Sequence, residues 1–233
     1  MERRLTAGAG LLTRIMLALT LALLVGGLVL GVGQNGETWK ALALAVPVLI
    51  AGWKGLPPLC RWLERMGAVR IWLVLTLLCL AVKGAWVFLV RVTPSGDYAT
   101  FWDYANALAR QPVLEGGRYM ALFPHIFGYS SFLSWFIRLL GPGELLAQML
   151  NVVLTAVSGS FLFLLGRRWW GLLAGISAYL LWIACPSQTI YNSLVLSEPL
   201  YTTLMLGTLV LLTAEGRRPI LRGVAAGLVL RWF

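Results

Sequence analysis

Charge is scarce in this sequence: 12% of its 233 residues are Asp, Glu, Lys or Arg, against 59% hydrophobic. A soluble domain carries about a quarter charged residues, so the shortage excludes an ordinary water-soluble fold. Acidic residues are the rarer sign, 9 against 19 basic, for a formal net charge of +10. That excess does not describe a nucleic-acid-binding face, because the basic residues stand in short clusters between apolar runs, where they read as signals of membrane topology. Cys60, Cys79 and Cys185 lie far apart with no CxxC pair, and His125 is the only histidine. A disulfide framework and a zinc-ligand cluster are thereby disfavoured. The chain also lacks a Gly/Ser linker, a low-complexity tract and an internal repeat, and the last absence argues against a transporter built from inverted halves.

What the chain has in abundance is long apolar runs. Those at 11–33, 39–56, 68–90, 144–166, 169–185 and 199–214 read as membrane spans, the last two short, and a seventh begins near Pro219 and stops at Phe233. The expected fold is therefore all-α, a polytopic transmembrane helical bundle of about six to seven spans. The MERR start followed by an apolar body has the outline of a signal sequence. The run is too long and lacks a small-x-small cleavage site, so it reads as an uncleaved first span. Residues 1–67 then form an N-terminal transmembrane hairpin and 68–233 a further membrane domain. Because the last run is short and carries Arg222 and Arg231, the chain reads as part of a longer protein.

Residues 122–141, LFPHIFGYSSFLSWFIRLLG, decide the topology. If they crossed, with a cytoplasmic N-terminus, Arg167, Arg168, Arg217, Arg218 and Arg222 would all fall outside, against the positive-inside rule. If they lie at the outer interface, every basic cluster is cytoplasmic and residues 91–143 become one outer loop with two interfacial amphipathic helices. In that arrangement Glu37, Asp97, Asp103, Glu115, Glu144 and Glu198 gather on the outer side or at its boundary.

Two of these acids are candidates for chemistry. Asp97 follows the turn-like Pro94-Ser95-Gly96, where either Ser95 or Asp97 can cap the next helix. Helical spacing places Asp97 with Phe101, Tyr104 and Leu108, and Asp103 on another face, so the two aspartates form no dyad. A carboxylate held at the membrane surface can accept the proton of an attacking hydroxyl or help hold a divalent cation; the plainer alternative is a helix cap among aromatic interface anchors. Glu198, directly before Pro199, is either a second helix-start acid or a second carboxylate delivered to the same face. Lys83, about 10–12 Å below the end of its span, either snorkels or neutralises a lipid-linked phosphate. Arg91, Arg110, Arg118 and Arg138 offer similar help, arginine suiting phosphate through its forked donors. His125 reads as structural, and Trp53, Trp62, Trp72, Trp169 and Trp170 read as belt residues.

The order "SGDYATFWDYANALA", "YMALFPHIFGYSSFLSWFIRLLG", "ELLAQMLNVVLTAVSGSFLFLLGRRWWG", "LLAGISAYLLWIACPSQTIYNSLVLSEPLYTTL" resembles the N-terminal module of multi-spanning glycosyltransferases that use polyprenyl-phosphate sugars. The closest group is glycosyltransferase family 39 and its bacterial relatives, similar to protein O-mannosyltransferases and aminoarabinose transferases. The resemblance covers residues 69–218. It implies transfer of a sugar from a polyprenyl-phosphate donor to an acceptor hydroxyl at the outer face of a bacterial plasma membrane, with Asp97 and Glu198 catalytic. Lys83, Arg91, Arg118 and Tyr98 would bind substrate, and a divalent cation is left open. Many relatives have two adjacent acids in the first loop, whereas Gly96 precedes Asp97 here and Tyr98 follows it. The alternatives are a non-enzymatic membrane protein, such as a lipid-linked sugar carrier, a transporter segment or an envelope-assembly subunit, and a structural anchor whose acids are helix caps.

Overall fold

The structure, a computed structural model, describes residues 54–55, 58–59, 62–63, 65–90, 92–93, 95–111, 122–214 and 219–230. The chain divides into two compact units, Met1–Pro58 and Leu59–Phe233, and the helices described below belong to the second. The expected spans at 11–33 and, almost entirely, at 39–56 lie outside the described residues, as do Arg91 and Arg118.

Among the described residues the fold is all-helical, with no strand. In chain order the helices are α1 (Ala68–Leu89), α2 (Asp97–Arg110), α3 (Pro124–Leu140), α4 (Glu144–Trp170), α5 (Leu172–Ala184), α6 (Pro186–Ser193), α7 (Glu198–Leu212) and α8 (Pro219–Leu230). Two of them, α1 and α4, are long and apolar enough to cross a membrane, and a third span results if α5 and α6 are counted as one bent unit. Their axes differ by 53°, because Pro186 has no N–H to donate and disfavours a helical residue before it, and Cys185 is accordingly extended.

The expected boundary between the fourth and fifth apolar runs is corrected. Helix α4 does not stop at residue 166 but continues through Arg167 and Arg168 to Trp170, and the chain turns at Gly171, whose φ of 91° suits glycine. Helix α5 then returns against α4 at close range. A Cβ placed on Gly175 would sit 2.6 Å from the Phe163 carbonyl oxygen, and one on Gly166 would sit 3.0 Å from the Gly175 Cα. Gly159 meets the ring of Tyr179 in the same seam. Absent side chains let the two backbones approach, which is how helices in lipid gain packing energy without a hydrophobic drive to associate.

Helices α2 and α3 pair with each other more extensively than either packs on the long helices. Their shared core joins Tyr98, Phe101, Ala105 and Leu108 to Ile126, Tyr129, Leu133 and Ile137. The Phe101 and Tyr129 rings meet edge to face with centroids 5.5 Å apart, and the Ser130 hydroxyl donates to the Phe101 carbonyl at 3.1 Å. Arg138 donates to the Leu108 carbonyl near the end of α2, so this arginine, one of those expected to help hold phosphate, is tied to the fold. The same core takes in Ala147 of α4, Val195 and Leu200, and that contact carries the start of α2 to the start of α7.

Candidate functional site

The sequence expected Ser95 or Asp97 to cap α2, and the structure corrects this. Gly96 is the N-cap, with φ 55° and ψ −129°, so Asp97 is the first helical residue. Only glycine adopts that backbone readily, which gives a physical reason for a glycine directly before Asp97. Glu198 has the matching position in α7: Ser197 is the N-cap, Glu198 is the first helical residue, and Pro199 follows inside the first turn.

These two helix starts share a cavity of about 290 Å³ lined by Ser95, Asp97, Tyr98, Phe101, Leu196 and Glu198, among others. Both carboxylates lie at positive helix ends, and both residues are exposed toward solvent. Such a cavity offers two carboxylate side chains at helix starts and an aromatic wall in one place. Asp103 is exposed elsewhere on α2, as its spacing predicted, but Tyr104, which the same spacing grouped with Asp97, lines a hollow with Asp103, Thr100 and Ala107.

Tyr98 is 3% exposed, and its hydroxyl makes no hydrogen bond among the described residues. Burial pushes the phenol up from its ordinary value, the charge of Glu144 pushes the same way, and the Gln148 side chain, within electrostatic reach but short of hydrogen-bond geometry, pulls it back. Tyr129 differs in having a partner, donating to Asn151 Oδ1 at 3.1 Å, and burial raises it as well.

A polar row on α4 positions the Glu198 side of the cavity, and sequence reasoning missed it. Gln148, Asn151, Thr155 and Ser158 are buried, and their three- and four-residue steps put them on one face. Gln148 Nε2 donates to the Ser193 carbonyl at 3.1 Å and Asn151 Nδ2 to the Leu194 carbonyl at 2.6 Å. Thr155 Oγ1 donates to Asn192 Oδ1 at 2.8 Å, and Ser158 pairs with Thr203 at 2.8 Å. The non-helical link between α6 and α7 therefore has its freed carbonyls satisfied by α4, as a break among apolar helices requires. A signal was present in the spacing, since polar residues recurring on one face of an apolar run mark a site or a seam.

Lys83 does not extend to the interface. Its side chain is fully buried in α1, and Nζ donates to the Cys185 carbonyl at 3.3 Å and to Thr189 Oγ1 at 2.5 Å. It thus serves the α5–α6 break and is not among the residues lining the Asp97–Glu198 cavity. Of the residues expected to act on substrate, the structure brings together Asp97, Tyr98 and Glu198 and leaves Lys83 apart. No group of three or more His, Cys, Asp or Glu among the described residues is arranged to hold a metal ion, and two carboxylates alone make a poor cation set.

Fold and cavity together define an all-helical protein with helices long and apolar enough for a membrane and an acid-lined hollow where two helices begin. No known protein family, curated protein or solved structure matches the chain.

Proposed function

We propose that this protein is a membrane glycosyltransferase that moves a sugar from a polyprenyl-phosphate donor to an acceptor hydroxyl at the outer face of the membrane. The observation that supports this reading is the shared cavity, where Asp97 and Glu198, distant in sequence, meet beside Tyr98. In the proposal the acceptor oxygen attacks the anomeric carbon while the bond from that carbon to the phosphate oxygen breaks. The phosphate leaves with the bonding electrons, and Asp97 takes the acceptor proton. Glu198 orients the acceptor, Tyr98 forms a wall of the sugar site, and the helix starts of α2 and α7 favour the developing phosphate charge. Arg91 and Arg118 are assigned to the donor phosphate, and Lys83, engaged at the α5–α6 break, is not. No step is routed through a cation.

The proposed topology has six to seven spans in a bacterial plasma membrane, with a cytoplasmic N-terminus and with α2 and α3 lying at the outer interface. Phe127, Trp135 and Leu139 support the last point, because they are exposed and recur along one side of α3, as a helix resting on lipid requires. Asp97→Asn in the full chain is expected to lower transfer from a polyprenyl-phosphate sugar about 10²–10⁴-fold, the usual share of a general base, while Asp103→Asn leaves it unchanged. Undiminished transfer by Asp97→Asn would remove the mechanism. Gly216→Cys is expected to resist a membrane-impermeant thiol reagent added outside, and modification there would remove the topology.

A second reading, a carrier for a lipid-linked sugar, is favoured by one feature. A broken helix beside a buried cation, as at Cys185 and Lys83, is the kind of element transporters place within the membrane. Lys83→Met separates the two: a carrier loses translocation in vesicles, whereas the transferase keeps activity with donor supplied at the outer face.

A further inference from the structure

At the other end of α4 lies a second hollow, a groove of about 460 Å³ between the start of α1 and the last turns of α4, within the range of about 300–1,000 Å³ typical of ligand sites. Its walls are Val69 and Trp72 from α1 and Val157, Phe161 and Leu164 from α4, and Arg167 stands where α4 nears its end. The polar groups inside are already used: Trp72 Nε1 donates to Ser160 Oγ at 2.9 Å, and that hydroxyl donates to the Ala156 carbonyl. The groove wall is thus apolar in effect and presents no unmet donor that would hold water.

The two arginines that close α4 differ. Arg168 is committed to the fold, donating to the Val210 carbonyl at 3.1 Å and to Thr213 Oγ1 at 2.8 Å. Arg167 is exposed, and no ion pair or side-chain hydrogen bond engages it among the described residues. Trp169 and Trp170 follow at once, both exposed and edge to face, and tryptophan pairs of this kind settle at headgroup depth. A cation at headgroup depth above an apolar channel complements an amphiphile with an acidic head and a hydrocarbon tail.

We infer that the α1–α4 groove binds an anionic phospholipid, one acyl chain lying along Trp72 and Phe161 and the phosphate paired with Arg167. The site is separate from the Asp97–Glu198 cavity and does not depend on sugar transfer; it requires only that α1 and α4 lie in a membrane.

The test uses the full chain, delipidated in detergent, with retained lipid counted by native mass spectrometry after mixing with phosphatidylglycerol or phosphatidylcholine. Phosphatidylglycerol is expected to bind about fivefold more tightly, the increment of one basic residue near anionic lipid. Arg167→Gln is expected to abolish that preference and keep phosphatidylcholine binding, while Arg110→Gln, on α2, keeps the preference. Val157→Cys, folded first and then blocked with N-ethylmaleimide, is expected to lose both lipids, a result independent of whether a bulkier substitution folds. The inference is overturned if the preference survives Arg167→Gln or if inorganic phosphate competes as well as lipid does. It is also overturned if Val157→Cys cannot be labelled in lipid-free micelles, since a groove closed without lipid has no room for an acyl chain.

Discussion

Along α4, the first half directs Gln148, Asn151, Thr155 and Ser158 toward the α6–α7 link and α7, whereas the second half presents Gly159 and Gly166 to α5. The first half holds another segment by hydrogen bonds to its backbone and side chains. The second draws α5 in by close backbone approach at Gly166 and Gly175, with Tyr179 and Trp182 of α5 donating to the Ala156 and Thr155 carbonyls of α4. The polar half is costly in an apolar setting unless every group is paired, and the glycine half is costly in chain entropy unless the contact is tight. Each cost is met by a different partner. The half with hydrogen bonds is the half beneath the acid-lined cavity, so it orients Glu198 as well as supporting the fold.

Substitutions can break this contrast at either end. The largest effect is expected for Gly175→Leu, which would force α5 off the α4 backbone at Phe163. Thermal unfolding in detergent should show a loss of about 3 kcal/mol, the upper part of the usual overpacking range, while the cavity on the other half keeps whatever activity the protein retains. Asn151→Leu should cost less, about 2 kcal/mol, by leaving the Leu194 carbonyl and the Tyr129 hydroxyl without their partner. Because it loosens the link that carries Glu198, it should lower the proposed sugar transfer far more than Gly175→Leu does at equal stability. Equal activity losses from the two would erase the distinction between the halves.

Smaller changes sharpen it. Ser158→Ala removes one shared hydrogen bond with Thr203, which keeps the Leu154 and Pro199 carbonyls as alternatives, and about 0.6 kcal/mol is expected, the average for such bonds in membrane helices. Tyr98→Phe should be close to neutral at neutral pH, within about 0.5 kcal/mol, since the lost hydroxyl was buried without a partner. It has a pH signature as well. Burial raises the Tyr98 phenol in the folded state, so the folded protein keeps its proton where the unfolded chain releases it, and stability falls as pH rises past the unfolded tyrosine value of about 10. Tyr98→Phe should make that alkaline decline shallower; an unchanged slope would place Tyr98 outside the buried cluster.

Much of the helix inventory could be read in advance from particular runs. The apolar stretches at 68–90 and 144–166 are helices, and Asp103 does part from Asp97 by its place on the turn. The end of α4 was misplaced because Arg167 and Arg168 look like a loop in a hydropathy profile, although a helix loses nothing by carrying basic residues in its last turn, where they suit the dipole. The cap of α2 was misassigned because Ser95 and Asp97 have better capping side chains than Gly96, and the decisive quantity, a positive φ, leaves no mark beyond the glycine itself. Lys83 was expected to turn toward water or phosphate. It turns instead to carbonyl and hydroxyl oxygens at a break that lies far along the chain.

Composition was enough to establish an all-helical chain with helices fit for a membrane, because hydrocarbon leaves the backbone few ways to satisfy its own polar groups other than helix. Local signals, Pro94-Ser95-Gly96 before Asp97 and Pro199 after Glu198, marked these two acids as lying near helix starts, because such rules act over a few residues. That Asp97 and Glu198 face one cavity is a different kind of fact. It depends on Tyr98 and Phe101 packing in one core with Val195 and Leu200, and on Asn151 holding the Leu194 carbonyl. The positions of the basic clusters lead to the expectation that both acids lie on one membrane face. Periodicity, however, reports which face of a helix is buried and is silent about which other helix buries it, so the shared cavity itself became visible only in three dimensions.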